Sequence, residues 1–247
     1  MTLSTRTCVI TGASRGIGRG IAEQLGSEGA NVVVNYHYSN EAADQVVAAI
    51  EDGGGSAIAC QADVTDRDDV ERMRDATHEA FGAPHVVVNN AGITQDTKFE
   101  TMSREEWDRV VDVTLGGAFN CTHAFYPDIK DADEGRLVNI SSVIGKQGNY
   151  GQANYAAAKS GLFGFTRSLA LELAPHGSTA NCVAPGYTET DMIEGVREDI
   201  LDRLRDQIPL RRFATVDEIA CVVRFLASEE ASYVSGEVLD VNGAMDL

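Results

Sequence analysis

Tyr155 and Lys159 stand four residues apart in Tyr155-Ala156-Ala157-Ala158-Lys159, so a helix through this run puts both on one face. The alanines between them leave space for a ligand against that face. A phenol ordinarily ionises near ~10 and is then a poor proton donor or base. A neighbouring ammonium favours the phenolate and is expected to draw the phenol toward neutrality. A second segment, Asn139-Ile140-Ser141-Ser142, closes a β-branched run with a serine hydroxyl able to orient a carbonyl oxygen. These parts suit reduction of a ketone, with hydride going to carbon and the Tyr155 proton to oxygen. Alone, a Tyr-x-x-x-Lys pair is an ordinary helix face. Its specificity comes from what accompanies it.

The first companion is Thr11-Gly12-Ala13-Ser14-Arg15-Gly16-Ile17-Gly18, after the first strand and opening the first helix. Glycine lets the backbone turn sharply and approach a pyrophosphate, and the free N–H groups of a helix N-terminus then face the phosphates. A purely structural tight turn is the competing reading; the placement ahead of a strand–helix–strand unit favours nucleotide binding. The second strand ends at Asn35-Tyr36-His37-Tyr38-Ser39, without the carboxylate that would hold the ribose hydroxyls of NAD. Arg15 in the turn can pair with a 2′-phosphate, with Ser39 nearby, so the expected cofactor is NADPH. Asp63 and Val64 follow the third strand at the adenine end. The Asp63 carboxylate suits an adenine amino group and equally the cap of a local turn.

These residues need a scaffold, and its elements are readable. Candidate strands are Thr7–Thr11, Asn31–Tyr36, Ala57–Ala62, His85–Asn89, Arg136–Ser141, Thr179–Ala184 and Val238–Val241. Amphipathic stretches lie between them, among them Asn40–Asp52, Asp68–Phe81, Trp107–Tyr126 and Asn154–Ala174. Val86-Val87-Val88 shows no alternation, as expected of a strand buried on both faces. The expected fold is α/β: a Rossmann-like, doubly wound parallel sheet of about seven strands. No low-complexity linker divides the chain, so residues 1–247 read as one domain.

The sequence resembles the short-chain dehydrogenase/reductase family nearly end to end. The carriers are TGASRGIG (11–18), NNAG (89–92), Ser142, YAAAK (155–159) and PGYTETDM (185–192). GNYGQANYAAAK (148–159) and EASYVSGEVLDVNGAM (230–245) bring it nearest to the 3-oxoacyl thioester reductases. The resemblance implies Ser142, Tyr155 and Lys159 as catalytic residues. It implies that Asn89, Ala91 and Gly92 shape the adenosine side of the cofactor cleft, with Pro185, Gly186, Thr188 and Thr190 bordering the nicotinamide. Gly12, Ser14, Arg15, Gly16, Ile17 and Gly18 would hold the phosphates, and Lys159 the nicotinamide ribose as well. One departure stands out: Thr114 in Val113-Thr114-Leu115 occupies the place of the family's asparagine, whose water relays protons to the lysine. Its carbonyl could still serve, and its hydroxyl could help.

For the substrate, the resemblance suggests Asp96, Ser142, Asn149, Tyr150, Gly151, Gln152 and Tyr187 as pocket residues; a loop tyrosine such as Tyr187 also often only packs. Two thioesters compete, one on CoA and one on acyl carrier protein. Carrier proteins are acidic, whereas Lys130-Asp131-Ala132-Asp133-Glu134 and Pro175-His176-Gly177 offer no strong basic platform. CoA needs only a local cation, and Arg197 is a candidate for its phosphates; a pair with neighbouring acids is the alternative. The expectation is therefore reduction of acetoacetyl-CoA, as in polyhydroxyalkanoate precursor synthesis. The alternatives are 3-oxoacyl-acyl-carrier-protein reduction and oxidoreduction of a sugar or cyclic alcohol. A non-catalytic NADP-binding sensor is disfavoured by the intact Ser142, Tyr155 and Lys159. The resemblance also implies a homotetramer.

Composition bounds the rest. The 247 residues carry 38 acidic and 20 basic side chains, a net charge of −18, with 43% hydrophobic residues. That excludes a basic face for nucleic acid or for anionic membranes, yet leaves enough apolar material for a core. No signal segment and no run near ~18 apolar residues is expected. The five scattered cysteines read as small buried hydrophobes in a reducing cytoplasm. Lysine is scarce: only Lys98, Lys130, Lys146 and Lys159. Carboxylates in place of lysine stems keep a surface hydrated in salt, where a Debye length of ~3 Å at molar strength screens their repulsion. A salt-rich cytoplasm is the expected setting. Dialysis into low salt should then unfold the chain or dissociate an assembly, as read by circular dichroism and sedimentation; unchanged stability there overturns the expectation.

Overall fold

Short valine-rich strands alternate with helices from one end of the chain to the other. The structure, a computed structural model, describes residues 3–4, 6–190 and 197–246. In order, the elements are β1 (Thr7–Ile10), α1 (Gly16–Ser27), β2 (Asn31–Tyr36), α2 (Asn40–Asp52), β3 (Ser56–Gln61), α3 (Arg67–Phe81) and β4 (Val86–Asn89). Then come α4 (Arg104–Val111), α5 (Gly117–Asp131), β5 (Arg136–Ile140), α6 (Ile144–Gln147), α7 (Ala153–Leu173) and β6 (Thr179–Pro185). The last are α8 (Glu198–Asp206), α9 (Val216–Ala227) and β7 (Val238–Val241).

The seven strands form one parallel sheet in the order β3-β2-β1-β4-β5-β6-β7. Alternate residues of each strand point to opposite faces. Cys8, Ile10, Val32, Val34, Val86 and Val88 pack with Ile21 of α1, Val46 of α2 and Leu226 of α9. Val9, Val33, Val87 and Leu137 pack with Met73 of α3, Phe125 of α5 and Leu173 of α7. Both faces are therefore covered, which is why β4 is apolar without alternation. Each fully buried valine contributes about 1.5–3 kcal/mol relative to exposure.

The expected doubly wound sheet is the observed one. Most strand limits differ from expectation by a single residue. Trp107–Tyr126, expected as one helix, is α4 and α5 joined by a π-helical turn, Asp112–Gly116. Helix α8 is the setting of the alternative reading of Arg197 as paired with neighbouring acids, and α9, opened by a capping box of Thr215 and Glu218, was not among the expected stretches.

Strand order reverses between β1 and β4, so a crevice opens at their C-terminal ends. The glycine-rich turn, Asn89–Gly92, Ser142 and Pro185-Gly186 all follow strand ends on that edge. Asp131–Glu134 and Pro175–Gly177 precede β5 and β6, so they lie at the opposite edge. There Glu134 bridges Arg6 at 2.7 Å and the buried Arg136 at 3.3 Å. The acidic loop therefore does not border this chain's own cleft, contrary to the expectation that set it against carrier-protein docking.

A row of buried polar side chains ties the sheet to its helices. Asn89 Nδ2 donates to Thr122 Oγ1 and to Asn139 Oδ1, both at 2.8 Å, and Asn139 Nδ2 donates to Thr166 Oγ1 at 2.8 Å. These bonds fix α5 and α7 against β4 and β5. Asn139→Ala leaves buried partners on both sides unpaired, and should lower the unfolding free energy by about 2–4 kcal/mol. Urea denaturation measures it; a loss below about 0.5 kcal/mol would mean the row is not a tie.

Candidate active site

The glycine-rich turn is held from two sides. Gly12 N donates to Asn35 Oδ1 at 3.1 Å, and Ala13 N to the Asn35 carbonyl at 2.7 Å. From β4, Asn90 Nδ2 donates to the carbonyls of Thr11 at 2.9 Å and Gly12 at 3.0 Å. Gly12 adopts φ +62°, and a Cβ on Gly18 would stand 2.3 Å from the Gly12 carbonyl oxygen. Close backbone approach, not loop mobility, is what the glycines serve. Asn35 and Asn90 were not among the expected site residues. An asparagine beside a strand end is too common a residue to announce this work.

The turn leaves groups unclaimed. Ser14 is buried, Ile17 packs partly buried against the core, and Arg15 is exposed without an ion pair to any described residue. The Thr190 hydroxyl is buried with no partner among the described residues, and its methyl lies 3.6 Å from where a Cβ on Gly16 would stand. Thr188 Oγ1 donates to the Gly186 carbonyl at 3.1 Å, and Gly186 N donates to Val241 O at 2.9 Å. A turn whose glycines carry no Cβ, a hydroxyl with no described partner and an exposed guanidinium together fit the phosphates of a dinucleotide. Ser39 caps α2 without a side-chain hydrogen bond, so its hydroxyl is free at the end of β2.

Other expected cofactor residues are placed differently. The Asn89 side chain belongs to the buried row under the sheet. Val64 packs in the core, and a Cβ on Gly117 would stand 2.5 Å from its Cγ2, so only its backbone can face an adenine. Asp63 Oδ1 accepts from Thr65 N and Thr65 Oγ1, both at 2.8 Å, which is the local-turn alternative. Ala91 N donates to Thr11 Oγ1 at 3.0 Å and packs on the turn.

On α7, Lys159 is buried and its Nζ donates to the Ile140 carbonyl at 2.7 Å. The Nζ lies 5.6 Å from the Tyr155 ring centroid. Burial lowers the ammonium to about 8. Ser141 Oγ donates to the Lys159 carbonyl at 2.7 Å, and Asn154 Oδ1 accepts from Tyr155 N at 2.8 Å, so both residues are set by their neighbours. Burial raises the Tyr155 phenol above its ordinary value; a hydrogen bond with Ser142 opposes this, and the Asp96 charge adds to it. The expected drift toward neutrality is therefore not observed. Desolvation and the Asp96 charge exceed the one opposing contact, the hydrogen bond with Ser142, while the Lys159 ammonium is held on the Ile140 carbonyl. A phenol held protonated is the form that can donate.

Thr114 sits in the π-helical turn, a distortion frequent at functional sites. Its Oγ1 is buried and unpartnered among the described residues. A Cβ on Gly92 would stand 3.4 Å from both Thr114 Oγ1 and Lys159 Nζ. Gly92 thus opens space beside the lysine rather than at the adenosine end.

On the substrate side, Asn149 Nδ2 donates to Gln152 Oε1 at 2.9 Å, and Gln152 Nε2 donates to Asp96 Oδ1 at 2.8 Å. Gly151 and Tyr150 adjoin this chain, Tyr150 being exposed. Tyr187 packs: its ring meets Phe213 edge-on at 6.2 Å and lines a cavity of about 410 Å³ with Ile208 and Leu210. Arg197 is also committed, in a two-bond ion pair with Asp199 at 2.9 Å for each bond. Residues 191–196, the rest of the segment expected as a flap and the end of PGYTETDM, lie outside the described residues.

A family profile described as enoyl-(acyl carrier protein) reductase matches residues 12–245. The chain belongs to the short-chain dehydrogenase/reductase family. It is 46% identical over 241 residues to the Staphylococcus aureus 3-oxoacyl-(acyl-carrier-protein) reductase FabG, covering 98% of each chain. It is 45% identical over 240 residues to the Staphylococcus epidermidis protein of that name, covering 97% of this chain and 98% of that one. Identity to a 3-oxoacyl-(acyl-carrier-protein) reductase of Synechocystis is 45% over 244 residues, 98% of each chain. The chain is thus an oxidoreductase of the 3-oxoacyl thioester reductase type, and among its described residues no helix is long and apolar enough to cross a membrane.

In this reductase the ammonium form of Lys159 is present below about 8 and lost above it. Ketone reduction should therefore fall as pH rises through about 8, approaching roughly tenfold per unit. The pH profile of kcat measures this. A rate level to pH ~10, near an unburied lysine's value, would exclude the buried ammonium as the titrating group.

Proposed function

We propose that the chain reduces 3-oxoacyl thioesters of acyl carrier protein to the 3-hydroxyacyl form, with NADPH as cofactor. The observation that carries this reading is the match of about 45% identity along 98% of the chain to reductases named for that substrate. The family profile's description names an enoyl substrate, but the reductases aligned over nearly the full length are 3-oxoacyl ones.

NADPH, when bound, supplies the hydride. Gly12, Gly16, Gly18 and Thr190 would hold its phosphates, and the unpaired Arg15 with Ser39 supports the 2′-phosphate over a bare ribose. Ser142, hydrogen-bonded to the Tyr155 phenol, orients the ketone oxygen. Tyr155 donates its proton to that oxygen. Lys159 stabilises the phenolate left behind and then gives up a proton to restore the phenol, and the Thr114 hydroxyl would relay a proton from solvent back to the lysine.

The CoA reading loses both of its supports. The acidic loop lies at the far edge of the sheet, and Arg197 is occupied by Asp199. A homotetramer in one reductase domain, in a salt-rich cytoplasm, completes the proposal. Exposed Leu171 and Tyr233 support association. The five free cysteines suit a reducing compartment.

A steady-state comparison of acetoacetyl-CoA with the acetoacetyl carrier-protein thioester should give the larger kcat/KM for the carrier substrate. Tyr155→Phe should lose roughly 10²–10⁴-fold on both. A clear preference for CoA restores the other substrate.

A further inference from the structure

We propose that Lys98 is the phosphate contact for the substrate's phosphopantetheine arm; this rests on the thioester-reductase reading. Three of the four lysines have a settled place. Lys159 is buried, Lys146 pairs with Asp240 and Asp246, and Lys130 lies beside Asp131 at the far edge of the sheet. Lys98 is exposed and makes no ion pair with any described residue. In a chain of net charge −18, an uncommitted cation has no shortage of carboxylates to pair with.

Its mount is firm and stands at the rim of the pocket. Thr97 N donates to Gly151 O at 2.8 Å, Gln152 Nε2 to Asp96 Oδ1 at 2.8 Å, and Asn154 Nδ2 to Gln95 O at 3.1 Å. Segment 95–97 is thereby stitched to the residues just ahead of Tyr155. Beyond Lys98, Thr101 N donates to the Lys98 carbonyl at 2.9 Å, closing a turn. Two aromatics stand open on these tied segments, Phe99 at 75% and Tyr150 at 80% exposure. The fold has no use for either surface. An arm of methylenes, methyls and amides that ends in a phosphodiester matches both features: the aromatics pack on the arm and the ammonium takes the phosphate. Neighbouring Asp96 and Glu100 repel the anion, which keeps the contact modest and salt-sensitive.

The test uses two substrates, the 3-oxoacyl carrier-protein thioester and the N-acetylcysteamine thioester, whose arm stops before the phosphate. Lys98→Ala should raise KM for the carrier substrate roughly 3–10-fold with kcat within about twofold. Lys98→Glu should raise it further, and Lys98→Arg should restore it. None of the three should change KM for the truncated thioester. An unchanged KM for the carrier substrate, or an equal rise for the truncated one, overturns the assignment. A parent enzyme inactive on both substrates overturns the functional reading itself, and this one with it.

Discussion

The Lys159 ammonium is 4% exposed, and one carbonyl oxygen, that of Ile140, holds it. Taking a charge out of water is costly unless it is paired, so this one contact and the lowered pKa belong together. The cleft is arranged around the consequence. A lysine near about 8 is charged at neutral pH yet close to releasing its proton. The phenol above it is pushed the other way by the same burial. One environment thus prepares a donor that stays protonated and a cation that can be recharged. The Thr114 hydroxyl, without a partner among the described residues, and the Lys159 ammonium border the same space beside Gly92.

That arrangement needs α7 to keep its height over the sheet to within a fraction of a hydrogen bond. Two sets of contacts supply this. Ser141 Oγ grips the Lys159 carbonyl from the end of β5, and Thr166, two turns further along, grips Asn139 from below. The bonds are buried, where a missing partner is expensive, so they act as a register mark rather than as bulk stabilisation. The same logic holds at the other end of the cleft. Asn35 and Asn90 clamp the glycine-rich turn between β2 and β4, so the turn is shaped before any ligand arrives.

Legibility in the sequence depends on range. Strands and the catalytic run are local patterns: Val86-Val87-Val88 announces double burial, and Tyr155 with Lys159 announces a shared face. The glycine turn was readable because glycine is the residue favoured at the φ +62° of Gly12 and the one that permits the close approach at Gly18. The clamps at Asn35 and Asn90 were not readable, since each acts on residues distant in the chain. Nor was the fate of Tyr187 or Arg197, because a ring that packs and a guanidinium that is paired look the same in sequence as ones that are free. The phenol's direction was misjudged for a related reason. Spacing shows that an ammonium is near, but not that burial outweighs it.

The acidic loop at Asp131–Glu134 carries this furthest. Along the chain it sits just ahead of the strand that ends in Ser142, and so looks adjacent to the site. A parallel strand, however, puts its start and its end on opposite edges of the sheet. Residues a few positions before a strand are therefore among the farthest from the loop at its other end. The electrostatics of this chain are divided accordingly. Glu134 does structural work at the closed edge, pairing Arg6 and the buried Arg136. The open edge, despite a net charge of −18, displays Arg15 and Lys98 without an ion pair to any described residue. Net charge describes the whole surface, whereas an anionic substrate meets only the edge at which the strands end.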